Sequence, residues 1–391
     1  MESEKIGIIL AISLILVLSP HLSKFLRLPT APIEIVLGSA LAMFGIINIE
    51  NEHFHFIAHV GFLYLMFLAG LEVNLKSIFK MPKVYTVQAF YFLATMWGLA
   101  VLLGWILDLP PVLIIILPLI SIGILATLSK EYGKEAPWIK IAFLVGTIGE
   151  VLSIIALTVF EAYYSVNDIE ELLSKLALLL GFLVAVWLLY IMFRTLFWWY
   201  PELKSTLMPS SKTVDGKYQD LRLSMGIFFI MVSIMLKLHL EVAFGAFIAG
   251  VFISTFFHHK KELEENISSF GFGFLVPIFF IYVGASLELK AIFIKDFFQE
   301  EIFITSITLL AGMFFIRIVA AFTLSFITGK REALLIAFAL AMPLTLMIAI
   351  ATIAYQNHGI QLFHYNAVVL VSLLEVIISM VVIKLLVKEK P

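Results

Sequence analysis

The chain has no cysteine, which excludes disulfides, thiolate metal sites and cysteine catalysis. Charge is also scarce. Only 14% of residues are Asp, Glu, Lys or Arg, and the formal net charge is −2. That sum says little about partners, because in an apolar chain the placement of charge matters more than its total. No Gly-rich phosphate loop, nucleophile elbow or His cluster with metal-ligand spacing is present, so the chain does not read as an enzyme and implies no cofactor. What remains is hydrocarbon: 62% of residues are hydrophobic and 36 are Phe, with a mean hydropathy of +1.06. A soluble domain needs far less apolar surface, so this is an all-α polytopic membrane protein. Its aromatic residues are lipid-facing and packing surface; Trp198, Trp199 and Tyr200 read as an interfacial belt.

Apolar segments of spanning length fall at about 6–23, 31–47, 55–73, 84–107, 111–129, 138–162, 172–199, 219–237, 241–257, 270–287, 301–328, 332–355 and 364–387, giving about 13 transmembrane helices. The first, in MESEKIGIILAISLILVLS, lacks a basic leader and a small-residue cleavage site, so it is expected to be retained. Basic residues test the count, because they accumulate on cytoplasmic loops. Connections after odd-numbered helices, with the C-terminal tail, hold 19 of the 26 Lys and Arg. The expected topology is therefore an N-terminus outside and a C-terminus in the cytoplasm, in the cell (inner) membrane. The longest loop, 201–220, separates seven helices from six. One transmembrane domain is expected, with no soluble regulatory domain.

Most ionisable residues, such as Glu161, Lys237 and Lys384, sit near helix ends, where long side chains reach the interface. Three lie near mid-span: Glu150 in LVGTIGEVLSII on helix six, Arg317 on helix eleven and Glu375 on helix thirteen. Intramembrane charges are costly and usually mark an ion or proton path, though each could instead be a packing pair. Arg317 does not release its proton. It reads as a fixed countercharge that keeps an ion-free site neutral, with Glu375 a possible partner that neutralises it.

Two helices carry residues that interrupt them. Helix five holds Pro118 and Gly123 in mid-span, and helix twelve holds Pro343. Proline removes a ladder hydrogen bond, and the break persists in a membrane only where protein or a cavity satisfies the freed backbone. Both helices are second in a triplet, four-five-six and eleven-twelve-thirteen, and the triplets run in opposite directions. Matching interruptions in inverted halves point to a transporter's midplane site. Glu150 and Glu375 take corresponding places on the third helices.

Four segments strengthen that reading: PTAPIEIVLGSALAMFG, GFLYLMFLAGLEVNLK, FGAFIAGVFIS and PIFFIYVGASLELK. In this order they resemble the monovalent cation:proton antiporters of the Kef and NapA type, within the sodium/proton exchanger superfamily, over nearly the whole chain. The resemblance implies an inverted-repeat fold with two broken, crossing helices. It implies core helices at about 84–162 and 301–387, and dimerisation or scaffold helices at about 6–73 and 172–287, in a homodimer. The family's acidic pair on the sixth helix maps onto Gly149-Glu150, and its basic residue on the eleventh onto Arg317. The hydroxyl or acid pair of the first crossing is missing, with Ser121 the nearest hydroxyl. Leu344-Thr345-Leu346 replaces the charged motif after the second proline.

The expected mechanism is competition at one carboxylate. Deprotonated Glu150 would bind Na⁺, K⁺ or Li⁺ with help from Thr147, Ser121 and backbone carbonyls at the breaks, and protonation would release the cation. One acid and a permanent cation predict one-for-one, electroneutral exchange. Two rivals share the fold. One is a cation- or proton-coupled anion symporter using space left by Gly149 and the charge of Arg317; the other is a membrane sensor without turnover. His53, His55 and His59, at the outer start of helix three, read as interfacial side chains or a pH sensor. His258 and His259 read as a basic cytoplasmic helix end.

Overall fold

A computed structural model of the chain describes residues 2–26, 30–47, 49, 51–72, 82–133, 136–164, 169–203, 214–238, 240, 242–257, 261–286 and 300–387. His258, His259 and half of the 201–220 loop lie outside the described residues. The thirteen expected spans are all present as helices: α1 (Glu2–Leu26), α2 (Thr30–Met43), α3 (Glu52–Glu72), α4 (Lys83–Ile106), α5a (Pro111–Ile116) with α5b (Gly123–Tyr132), α6 (Pro137–Tyr164), α7 (Ile169–Trp199), α8 (Val214–Leu238), α9 (Val242–Phe257), α10a (Lys261–Phe270) with α10b (Val276–Ser286), α11 (Glu300–Thr328), α12a (Lys330–Ala339) with α12b (Leu344–Gln356), and α13 (Leu362–Leu386). Nine among the described residues are long and apolar enough to cross a membrane, and three more are shorter apolar helices. Trp198, Trp199 and Tyr200 are exposed at the end of α7, as an interfacial belt requires.

Local chemistry sets several boundaries. The α3 helix begins three residues before the hydropathy signal because the Asn51 Oδ1 accepts the His53 and Phe54 amides at 3.1 and 3.2 Å. Helix ten contains a π turn, Gly271–Leu275, that the sequence reading did not anticipate. The Tyr64 hydroxyl donates to the Ile267 carbonyl at 3.1 Å. That carbonyl sits four residues before Gly271, where a wider turn loosens the regular ladder.

The chain divides into two compact units. The first comprises residues 1–59, 81–157 and 277–391. In it α11 packs along α4, α12a and α13, and α13 along both halves of helix twelve. The broken helices meet half against half: α5a touches α12b and α5b touches α12a. The second unit, residues 60–80 and 158–276, includes the packed pair α8 and α9.

The four sequence segments supply the close crossings within each unit. A Cβ at Gly38 would fall on the Ile281 carbonyl oxygen, and one at Gly284 on that of Ile35, so α2 and α10b touch backbone to backbone. In the second unit Gly70 of α3 meets the Phe247 carbonyl of α9, and Gly250 meets that of Phe67. Such contact needs small residues on both sides, as is usual between membrane helices. Substituting Gly250 by Ala forces backbone apart and is expected to cost about 1–3 kcal/mol, the range for overpacking. Thermal unfolding in detergent should show a lower Tm for Gly250→Ala and no fall for Gly98→Ala, where nothing lies within 4 Å and alanine suits a helix interior better than glycine.

Candidate functional site

The site begins with backbone. Helix five stops after six residues, Pro118 contributes no N–H, and the chain runs unwound until Gly123 opens α5b. In a membrane each freed group needs a partner, since leaving one bare costs several kcal/mol. The partners come from α6 and α11. Ser153 Oγ accepts the Ile120 amide at 3.0 Å, and Glu150 Oε2 accepts the Ile122 amide at 2.6 Å. Arg317 donates through NH1 to the Leu117 carbonyl at 3.3 Å and through NH2 to the Leu119 carbonyl at 2.7 Å.

The signs suit the half-helix dipoles. The guanidinium lies at the carbonyl end of α5a and the carboxylate at the amide end of α5b, each where its charge is favoured. A flat, forked guanidinium reaches the two carbonyls from two separate nitrogens, whereas an ammonium offers only one.

All three mid-span charges are buried: Glu150 and Glu375 are 0% exposed and Arg317 1%. Arg317 NH1 stands 3.1 Å from Glu375 Oε1. That contact is ionic rather than a hydrogen bond, since both Glu375 oxygens lack a hydrogen-bond partner and NH1 also donates to the Met313 carbonyl at 3.0 Å. Glu150, by contrast, makes no ion pair among the described residues, and its Oε1 has no hydrogen-bond partner. The sequence left two partners open for Arg317, an ion-free Glu150 and Glu375; in the structure it pairs with Glu375. One cation and one anion thus cancel, and Glu150 stands as a separate negative charge whenever it is ionised.

The other expected residues gather around it. Ser121 and Thr147 are buried, and the Ser121 side chain lies against the Glu150 carboxylate. Thr147 precedes Glu150 by three residues and so shares its helix face. Pro118 lies inside the first break, Gly123 ends it, and Pro343 directly precedes α12b. At that second break Ser379 Oγ donates to the Ala341 carbonyl at 3.3 Å.

Two serines were missed by the sequence reading. Ser153 and Ser379 follow the mid-span glutamates by three and four residues, a same-face spacing repeated on both third helices that was available as a signal. Glu34 was missed too, because it lies within five residues of its helix start. It is 3% exposed and accepts the Ser19 hydroxyl at 3.0 Å.

Residues 9–389 match the family described as sodium/hydrogen exchanger, transmembrane. The chain belongs to this family. A putative Na(+)/H(+) antiporter, YjbQ, of Bacillus subtilis is 26% identical over 93% of the chain and 60% of its own length. The chain therefore spans less than two thirds of that relative. A Na(+)/H(+) antiporter of Enterococcus hirae is 24% identical, with 99% of each protein covered. The solved structure of the sodium proton antiporter MjNhaP1 from Methanocaldococcus jannaschii superposes with a TM-score of 0.66 over 98% of this chain and 99% of that one, at 16% identity. The fold of this sodium/hydrogen exchanger family member is thus the inverted-repeat antiporter fold expected above.

Within that fold the two bonds from Arg317 to helix five carry a testable load. Arg317→Lys keeps the charge but forfeits one of the two carbonyl contacts, a loss of about 1–3 kcal/mol for a buried group left bare. Hydrogen–deuterium exchange should rise in the peptide spanning 117–123 and stay unchanged in α9. Glu375→Ala leaves a buried cation unpaired and should destabilise the protein by about 3–5 kcal/mol, read as a larger fall in Tm than Glu375→Gln produces.

Proposed function

We propose that the chain is a secondary active transporter that exchanges a monovalent cation, Na⁺ or K⁺, for H⁺ across the cell (inner) membrane. The observation that carries this reading is the state of Glu150: it is fully buried beside a broken helix, one oxygen held by the Ile122 amide and the other unengaged. An unengaged carboxylate oxygen in hydrocarbon is a place for a proton or a hard cation. Glu150 is the shared ligand, with Ser121 and Thr147 supplying hydroxyl oxygens. Proton and cation exclude each other there, which couples their movements.

Charge bookkeeping supports one-for-one, electroneutral turnover. With Arg317 and Glu375 cancelling, the site is neutral when Glu150 holds H⁺ and equally neutral when it holds Na⁺ or K⁺. Empty, it carries one negative charge, and carrying that charge across the membrane is costly. The loaded forms move and the empty form does not, so exchange is obligatory. In this reading the core helices, about 84–162 and 301–387, carry the site past scaffold helices of a homodimer, about 6–73 and 172–287. The N-terminus is outside and the C-terminus cytoplasmic.

The anion-symport alternative loses its two supports. Arg317 is engaged by Glu375 and by carbonyls, and the space beside Gly149 is filled by the Ile120 side chain.

Proton flux in everted vesicles given Na⁺, K⁺ and Li⁺ pulses tests the proposal. Glu150→Gln is expected to abolish the cation-driven signal while the protein stays folded, and normal exchange by that variant would refute the mechanism. Because H⁺ competes with the cation, the apparent KM for the cation should rise as pH falls, with little change in the maximal rate. Voltage-clamped proteoliposomes should show no cation-dependent current.

A further inference from the structure

Helix six carries two glycines one turn apart, Gly146 and Gly149, on the side that meets both breaks. A Cβ added at Gly149 would lie 2.6 Å from Ile120 Cδ1 and 3.1 Å from Ile120 Cβ and Cγ2. One added at Gly146 would lie 2.5 Å from Ile122 Cγ2 and 2.8 Å from Leu340 Cδ2. The two glycines therefore form a groove filled by four apolar side chains, the three nearest being two from the break of helix five and one from the break of helix twelve, with Leu125 Cδ2 at 3.8 Å. Ile120, Ile122 and Leu340 are all 0% exposed.

Two of these side chains are held in place. The Ile120 amide is bonded to Ser153 and the Ile122 amide to Glu150 itself, so neither residue swings away without breaking a buried hydrogen bond. The Ser121 side chain lies against the Glu150 carboxylate and Thr147 shares its helix face, whereas the adjoining position, Gly149, faces a hydrocarbon wall whose nearest member is Ile120. A side chain at position 149 would have occupied that volume. Here the volume is filled with a branched alkyl group.

We propose that Ile120 is a specificity-determining residue, setting the size of the ion accepted at Glu150 by walling off the Gly149 side of the site; this rests on the cation-exchange reading above. An ion on Glu150 draws its ligands from the hydroxyl side alone. Truncating Ile120 to Ala removes three carbons, opens more than the ~30 Å³ share of one water molecule, and admits a larger or more hydrated cation. The Gly149–Ile120 pair is also a matched fit: enlarging one member requires trimming the other.

The test uses purified protein in proteoliposomes, with proton flux measured for Na⁺, K⁺ and Rb⁺ in wild type, Ile120→Ala, Gly149→Ala and the double variant. Ile120→Ala is expected to shift the ratio of apparent KM values toward K⁺ and Rb⁺ by about tenfold, the scale on which pocket methyl groups discriminate. Gly149→Ala should lose transport through its clash, and the double variant should recover both transport and the wild-type ratio. Cation-dependent rises in Tm in detergent give the same ratio without turnover. If Ile120→Ala does not fold, Ile120→Val carries the comparison with a smaller shift in the same direction. An unchanged ratio in the truncated variant, by either readout, overturns the proposal, as does a double variant that keeps the ratio of Ile120→Ala. Absence of exchange by the wild type with every cation would instead defeat the antiporter reading.

Discussion

Everything at the centre of this protein depends on the need to satisfy four backbone groups that the broken fifth helix leaves without partners. These groups are buried, so side chains replace the missing helical bonds. The Ile120 and Ile122 amides take Ser153 and Glu150, and the Leu117 and Leu119 carbonyls take Arg317. On the proposed exchange reading, the residue that would bind the ion is also a structural cap. Glu150 holds the break with one oxygen and leaves the other without a hydrogen-bond partner.

Arg317 and Glu375 follow from the same need. A guanidinium brought into hydrocarbon to cap two carbonyls carries a full charge, and Glu375 cancels it at 3.1 Å. Breaking such a pair is costly because it strands the remaining charge. Its benefit here is local neutrality, which in the proposed mechanism leaves the charge of Glu150 for the cargo to balance. The hydrocarbon wall of Ile120, Ile122 and Leu340 packs against Gly146 and Gly149 beside it.

Much of this was legible in the sequence because it rests on local chemistry. Hydropathy located all thirteen spans, and Pro118 and Pro343 marked the interruptions, since proline cannot take part in the ladder wherever it falls. Glu150, Arg317 and Glu375 stood out because charge in mid-span is rare. What stayed hidden was pairwise and tertiary. No spacing tells whether Arg317 faces Glu150 or Glu375, as that depends on how α11 rotates against α13. The neighbour of Gly149 looked like a vacancy, because a glycine does not reveal what packs against it. Glu34 looked like an ordinary helix-end acid until the fold placed Ser19 over it. The π turn in helix ten follows a carbonyl that accepts the hydroxyl of Tyr64, about two hundred residues away in the chain and adjacent in space.

The glycine crossings have one more consequence, for how such a chain can change over time. At each crossing the carbonyl that excludes a side chain lies three residues from the partner glycine, so Gly38 and Gly284 guard each other, as do Gly70 and Gly250. Losing one member pushes the helices apart and removes the reason for the other to stay small. The members of each pair are therefore expected to drift together among relatives, as two linked characters rather than four independent ones.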